Sequence, residues 1–198
     1  MREPNIHDIR KIYPSLEHLF EIPQLKITKE MIDFSNKRLD KHIRTVQHFA
    51  TKIENYFPKF KGLKNVAAVH DKSKKEDPEK DPYVLLSWKH HRPEHKFNLT
   101  QIKAMQDTTF HHIRNNPHHP EYFVKRKFLS LRGENEKNLD VSKMRFVNLG
   151  EMLADWTSMS AELSTDSRDW ADKVIGSKYD FTNQQVSTIY EVLNKFQN

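Results

Sequence analysis

His70 and Asp71 stand side by side at the end of the apolar run Val66-Ala67-Ala68-Val69, which brings an imidazole and a carboxylate to the edge of a core. Such a pair holds a divalent cation only if other elements complete its shell, because a borderline metal takes four to six nitrogen and oxygen ligands. Three further places offer them: His42, the pairs His111-His112 and His118-His119, and Asp155 within Glu151-Met152-Leu153-Ala154-Asp155-Trp156. The chain carries 12 histidines, of which His70, His90, His91, His95, His111, His112, His118 and His119 fall in one window. With no cysteine there is no disulfide, thiolate nucleophile, zinc finger or iron-sulfur cluster, so a metal must be held by His, Asp or Glu. One or two divalent ions drawn from Mn, Fe, Zn, Co, Ni and Mg suit such ligands.

These residues need helices to aim them. Thr28 is an N-cap for a helical pattern that runs to about Phe57, with Leu39, Ile43, Val46, Ala50, Ile53 and Phe57 at three- and four-residue steps, and Pro58 ends it. His42 falls beside that stripe and His48 on the other side; taken alone, His42 also reads as a core or boundary histidine. Gly62 precedes a short helix from Asn65 to about Ser73, with Val66, Ala67, Val69 and His70 packed together. The mixed-charge run Lys72 to Pro82 reads as a solvated connection or lid. An apolar run from Tyr83 leads to His90-His91. From Asn98 or Thr100, a helix with Ile102, Met105, Thr109, His112 and Ile113 on one face stops before Pro117. The corner Asn116-Pro117-His118-His119-Pro120 is stiffened by two prolines; in isolation it also reads as a polar helix end. Residues 133–143 read as a loop. Arg145 to Leu163 forms a helix buried through Leu149, Met152, Leu153, Trp156 and Met159. Asp155 there is either a partly buried carboxylate with a partner or one that skirts the core, since an unpaired buried carboxylate is costly. A Thr182/Gln185 capping box opens a last helix through Val186, Ile189, Tyr190, Leu193 and Phe196.

The 198 residues suffice for one domain, and only 4 Gly beside 36% hydrophobic and 30% charged residues indicate an all-α bundle. Residues 1–27, with Pro4, Pro14 and Pro23, are expected to form an arm packed on a metal-binding helical domain of residues 28–198. The opening residues form no apolar signal region and no run reaches the roughly 18 apolar residues that span a bilayer, so a soluble cytoplasmic protein is expected, without a membrane partner. A net charge of +6 favours anionic partners. Nucleic acid is the less favoured of these, because basic residues are interspersed with acids and no aromatic-basic repeat is present. Oligomeric state is not legible.

The ordered set His42, His70-Asp71, the histidine pairs and Asp155 on successive helices resembles the ligand pattern of the HD-domain metal-dependent phosphohydrolase superfamily. The blocks His70-Asp71-Lys72-Ser73-Lys74, Asn116-Pro117-His118-His119-Pro120-Glu121 and Glu151 to Trp156 are similar to those of a family of uncharacterised bacterial and phage HD-like proteins, a domain of unknown function. The resemblance implies a helical bundle in which His42, His70, Asp71 and Asp155 bind one metal and Asp71 bridges to a second. His112 and either His118 or His119 would fill the places of two extra histidines; His112 and His118 are preferred, with His90 and His91 as alternatives. Better-known HD nucleotidases often carry an acid three positions after the motif Asp, where this chain has Lys74, which binds phosphate but cannot orient a water as a carboxylate does.

A divalent ion held in this way acidifies water and polarises a phosphoryl oxygen. The expectation is a phosphohydrolase for a nucleotide or other small anionic phosphate ester, with Asp71, Lys74 and Glu151 as catalytic residues. Glu151 would orient a ligating histidine, or else face solvent as an ordinary glutamate. Lys72, Lys74, Arg114 and His119 would bind substrate. Two rivals use the same residues: a di-iron oxygenase on an HD fold, and a non-catalytic binder of phosphate or nucleic acid with a structural metal.

Overall fold

The computed structural model describes residues 25–125 and 137–196. The part of the expected arm before Leu25, and residues 133–136 of the expected loop, lie outside the described residues. Among the described residues, seven α-helices and two strands of two residues each form an all-α bundle.

Helix α1 (Lys29–Tyr56) opens where the Thr28 hydroxyl accepts a hydrogen bond from the Met31 amide and ends one residue before Phe57 and Pro58, as the spacing predicted. A 28-residue helix is about 42 Å long, so α1 runs the length of the domain. The short α2 (Leu63–Ala67) and α3 (Lys80–His91) both pack on it. Helix α4 (Leu99–Asn115) packs on α3 and starts from a capping box in which Asn98 and Gln101 satisfy each other's backbone amides. Helix α5 (Phe146–Leu163) makes the most extensive packing with α1, and α6 (Ser167–Val174) and α7 (Asn183–Lys195) close the bundle against it. Strands β1 (Leu139–Asp140) and β2 (Tyr179–Asp180) pair in parallel, Leu139 opposite Tyr179.

The core has two parts. The larger joins Val46, Ala50 and Ile53 of α1 to Leu149, Met152 and Leu153 of α5 and to Ile189, Val192 and Leu193 of α7. The smaller joins Met31 of α1 to Val84, Leu85 and Trp88 of α3 and Met105 of α4, with Leu25 and Ile27 packed against it. His42 lies on α1 between Met31 and Val46, where the helix passes from one apolar cluster to the other. That polar gap is where the candidate site forms.

Several local expectations change. The helix expected from Asn65 to Ser73 ends at Ala67, followed by a turn and a 3-10 segment Lys72–Lys75, and Val69 points outward at 62% exposure. The run Lys72 to Pro82 is not a solvated connection throughout: Glu79 within it is fully buried, and α3 already begins at Lys80. The buried face of α4 is rotated from the expected one, with Gln101 and Thr108 inside and Ile102 exposed, because the Gln101 amide finds a partner in the Leu25 carbonyl at 2.7 Å. Helix α6 and the strand pair carry no expectation from the sequence.

Candidate metal centre

Asp71 lies at the bottom of the gap, 1% exposed, in the left-handed backbone region with φ +56°. Aspartate is one of the few side chains that visit this region, as a single residue. The conformation turns the chain between α2 and the 3-10 segment and carries the carboxylate inward among four imidazoles.

The two carboxylate oxygens face two different groups. Oδ2 is 3.5 Å from His42 Nε2 and 3.6 Å from His70 Nε2; these two nitrogens are 3.4 Å apart, and Asp155 Oδ1 is 3.2 Å from His42 Nε2. Oδ1 is 3.1 Å from His112 Nε2 and 3.6 Å from His118 Nε2. The second group does not have hydrogen-bond geometry: Asp71 Oδ1, His112 Nε2 and His118 Nε2 are all buried without a hydrogen-bond partner. Three unsatisfied polar atoms converging in a buried site are expensive unless something binds them. Ligand bonds of about 2.0–2.2 Å place neighbouring ligands of a tetrahedron or octahedron about 2.8–3.6 Å apart, and the distances from the two Asp71 oxygens fall within that spacing. Buried His, Asp and Glu side chains here could therefore hold a metal ion; grouped by ligand-atom spacing alone, His42, His70 and Asp155 form one such set, and His112, His118 and His119 another.

The shifts of Asp71, Asp155 and His118 suit this role, whereas that of His70 favours a proton that a bound cation would have to displace. Burial opposes charge on Asp71, but Lys74, His70 and His112 outweigh it and hold the carboxyl well below the usual range. Asp155 is lowered against its burial by His42 and His70. Burial, then His119 and His70, keeps His118 neutral. Burial also lowers His70, yet Asp71, Glu151 and Asp155 prevail and raise it. Ligation requires ionised carboxylates and neutral imidazoles.

The rings are held from behind through their other nitrogens. Glu151, 4% exposed on α5, places Oε1 3.0 Å from His70 Nδ1 and 3.5 Å from His118 Nδ1, so it is not an ordinary solvent-facing glutamate. Glu79 does the same for α4: Oε2 lies 2.8 Å from His112 Nδ1, Oε1 lies 2.8 Å from His111 Nδ1, and the Ser73 hydroxyl donates to Oε2 at 2.8 Å. Burial works against ionising Glu79, and the bonds from His112, His111 and Ser73 overcome it. Sequence reasoning missed Glu79. It sits among Glu76, Asp77, Lys80 and Asp81, and no local pattern separates it from them.

Of the other residues expected at the site, Lys74 reaches in, its ammonium donating to Asp71 Oδ2 at 2.6 Å and lying 4.7 Å from the centre of the Tyr83 ring. His119 is half-buried with its ring against those of His112 and His118, and burial followed by the charge of His112 lowers it to about 4. Lys72 is exposed and pairs with Glu76 at 3.6 Å, outside the cluster. Arg114 is half-buried over the Phe110 ring. His90 and His91 are exposed; His91 stacks on Phe34, and neither joins the imidazoles around Asp71. His111 is turned to Glu79.

Two cavities flank the cluster. One of about 200 Å³ is lined by Arg38, His42, Lys74, Tyr83, His90 and Met159, among others. The second, of about 490 Å³, lies beyond His119, and Met159 borders both. Trp156 and Met159, expected in the core, are half-buried and line this second cavity. The turn that carries His118 is anchored by Glu121, whose Oε1 accepts from Lys178 Nζ at 2.7 Å and Tyr179 Oη at 2.6 Å. Among the described residues no helix is long and apolar enough to cross a membrane.

Residues 31–195 match the model of a protein family described as "Family of unknown function (DUF5662)". Comparison with curated proteins and with solved structures gives no match.

Proposed function

We propose a hydrolytic role for this chain, which belongs to the DUF5662 family: it is a metal-dependent phosphohydrolase of the HD-domain kind, acting on a small phosphate ester at a binuclear centre. One observation carries the reading. Asp71 divides its two oxygens between His42 with His70 and His112 with His118, and three of the facing atoms are buried without a hydrogen bond. On this reading His42, His70, Asp71 and Asp155 hold one ion, and Asp71, His112 and His118 a second. Bound divalent ions supply an acidified water and a polarised phosphoryl oxygen.

The chain's own residues do the rest. Glu151 and Glu79 fix the tautomer and orientation of His70 and His112, leaving each Nε2 free to point inward. Lys74 and Arg38, the latter paired with Glu162 at 2.8 Å, line the 200 Å³ cavity beside His42 with cationic groups. Lys74 has a carboxylate partner in Asp71, and a phosphate oxygen at the centre would be a second one. Tyr83, raised well above 10 by burial and by Asp71, Glu79 and Asp155, keeps its phenolic proton and can donate.

Metal analysis of protein purified without a chelating affinity step, followed by assays of nucleotides and sugar phosphates with each divalent ion, tests the reading. The expected result is up to two ions per chain and metal-dependent phosphate release. Asp71→Asn, which keeps the size and the left-handed backbone, should lose both together. A chain that neither contains nor takes up Mn, Fe, Zn, Co, Ni or Mg overturns it. The imidazole-rich ligand set also suits iron; bound iron with oxygen-dependent turnover and no phosphate release would assign the di-iron oxygenase instead.

A further inference from the structure

The cavity beyond His119 has a composition unlike the cationic one beside Lys74. Trp156, Met159, Leu163, Trp170, Pro120 and Tyr179 give it apolar and aromatic walls. Ser160, Thr165, Asp169 and Lys173 put hydroxyl, carboxylate and ammonium groups among them, and Lys173 Nζ lies 5.6 Å from the centre of the Trp170 ring. Trp170 is 44% exposed and Leu163 60% exposed, a high price in hydration for large side chains that α6 and α5 hold at the rim. About 490 Å³ is within the range of small-molecule sites.

Position adds to composition. His119 lines this cavity while its ring lies 4.9 Å from that of His112 and 4.2 Å from that of His118. A ligand with its phosphate at the candidate centre therefore has this cavity for the part that does not react. Its walls select among phosphate esters. A sugar offers hydroxyls and no flat apolar face, and a lipid chain makes no use of carboxylates and an ammonium. A planar nitrogen heterocycle uses both: its faces stack on indole, and its edge carries the amino donors and ring-nitrogen acceptors that Asp169 and Lys173 complement.

We infer that the cavity between α5 and α6 is a nucleobase pocket, and that the substrate of the neighbouring centre is a nucleotide. The substrate half of this inference rests on the phosphohydrolase reading; the pocket does not. The test is therefore binding of phosphate-free nucleosides to the full chain after chelation, followed by tryptophan emission, since Trp156 and Trp170 are two of the three tryptophans. At least one of adenosine, guanosine, cytidine, uridine and thymidine should quench the emission saturably. Trp170→Ala should weaken that nucleoside about tenfold or more, and Trp170→Phe, which keeps a ring, should restore most of it. A melting curve like the wild type's establishes that each variant is folded. No saturable quenching by any nucleoside, or equal affinity in Trp170→Ala, overturns the pocket. Ribose 5-phosphate hydrolysed as efficiently as every nucleotide overturns the nucleotide assignment and leaves phosphohydrolysis standing. Nucleoside binding in a chain that hydrolyses no phosphate supports the pocket and removes the hydrolase.

Discussion

At the scale of single residues, the candidate centre depends on side chains that touch no substrate. Glu79 is fully buried and makes its contacts with His111, His112 and Ser73. Glu79→Gln keeps the shape but loses a charge-assisted acceptor, so His112 should favour the wrong tautomer for part of the time. The expected outcome is about a 10- to 100-fold loss of metal affinity or activity, concentrated in the site nearer His112. Competition with a coloured chelator measures it, and wild-type affinity at both sites would remove Glu79 from the design. Lys74 poses the opposite question, because its ammonium already sits on Asp71 Oδ2. Removing it with Lys74→Ala should tighten metal binding, since a competing cation is gone, while kcat/KM for anionic substrates falls by roughly ten- to a hundredfold. Lys74→Glu should be worse for the same substrates. Unchanged kcat/KM in both variants would make Lys74 a structural partner of Asp71 alone.

At the scale of elements, α5 brings Glu151 and Asp155 to the centre by lying close against the segment that carries Phe60 and Leu63. Gly150 permits the approach. A Cβ there would lie 2.7 Å from Phe60 Cδ1 and 3.0 Å from Leu63 Cδ2, and both side chains are fully buried. Alanine improves helix propensity by about 1 kcal/mol, but overpacking in a closed core costs typically about 1–3 kcal/mol. The clash should win. Gly150→Ala is expected to be destabilised by up to about 2 kcal/mol in a denaturant titration. Metal affinity should fall as well, because Glu151 is the next residue and must shift with the helix. A variant as stable as wild type with unchanged affinity would mean that α5 can move away without disturbing the site.

At the scale of the whole molecule, the candidate ligands come from α1, the turn after α2, α4, the turn after α4, and α5. An ion bound there would tie together elements that otherwise meet through two separate apolar clusters. Metal at 100 times its dissociation constant stabilises the folded state by about 2.7 kcal/mol. For a chain of this size, chelation should lower the melting midpoint by roughly 5 to 10 °C. A midpoint independent of metal and chelator would argue that no ion binds the native fold selectively.

How much of this the sequence determined by itself follows from which interactions are local. The helix from Thr28, the Thr182/Gln185 capping box and the stop before Pro117 were legible because caps, prolines and a 3.6-residue period act within a few positions of themselves. The histidines and aspartates of the centre were legible as candidates because their types are rare in combination and lie on separate predicted elements. Which histidine of each pair turns inward was not, since adjacent residues on a helix differ by about 100° of rotation and only packing sets the phase; α4 showed this by burying Gln101 and Thr108 in place of Ile102 and Thr109. Glu79, the left-handed turn at Asp71 and the aromatic cavity between α5 and α6 were decided by tertiary structure alone. A carboxylate in a charged run has the same neighbours whether it is solvated or buried, and only the approach of α4 to that run gives Glu79 two imidazoles to hold.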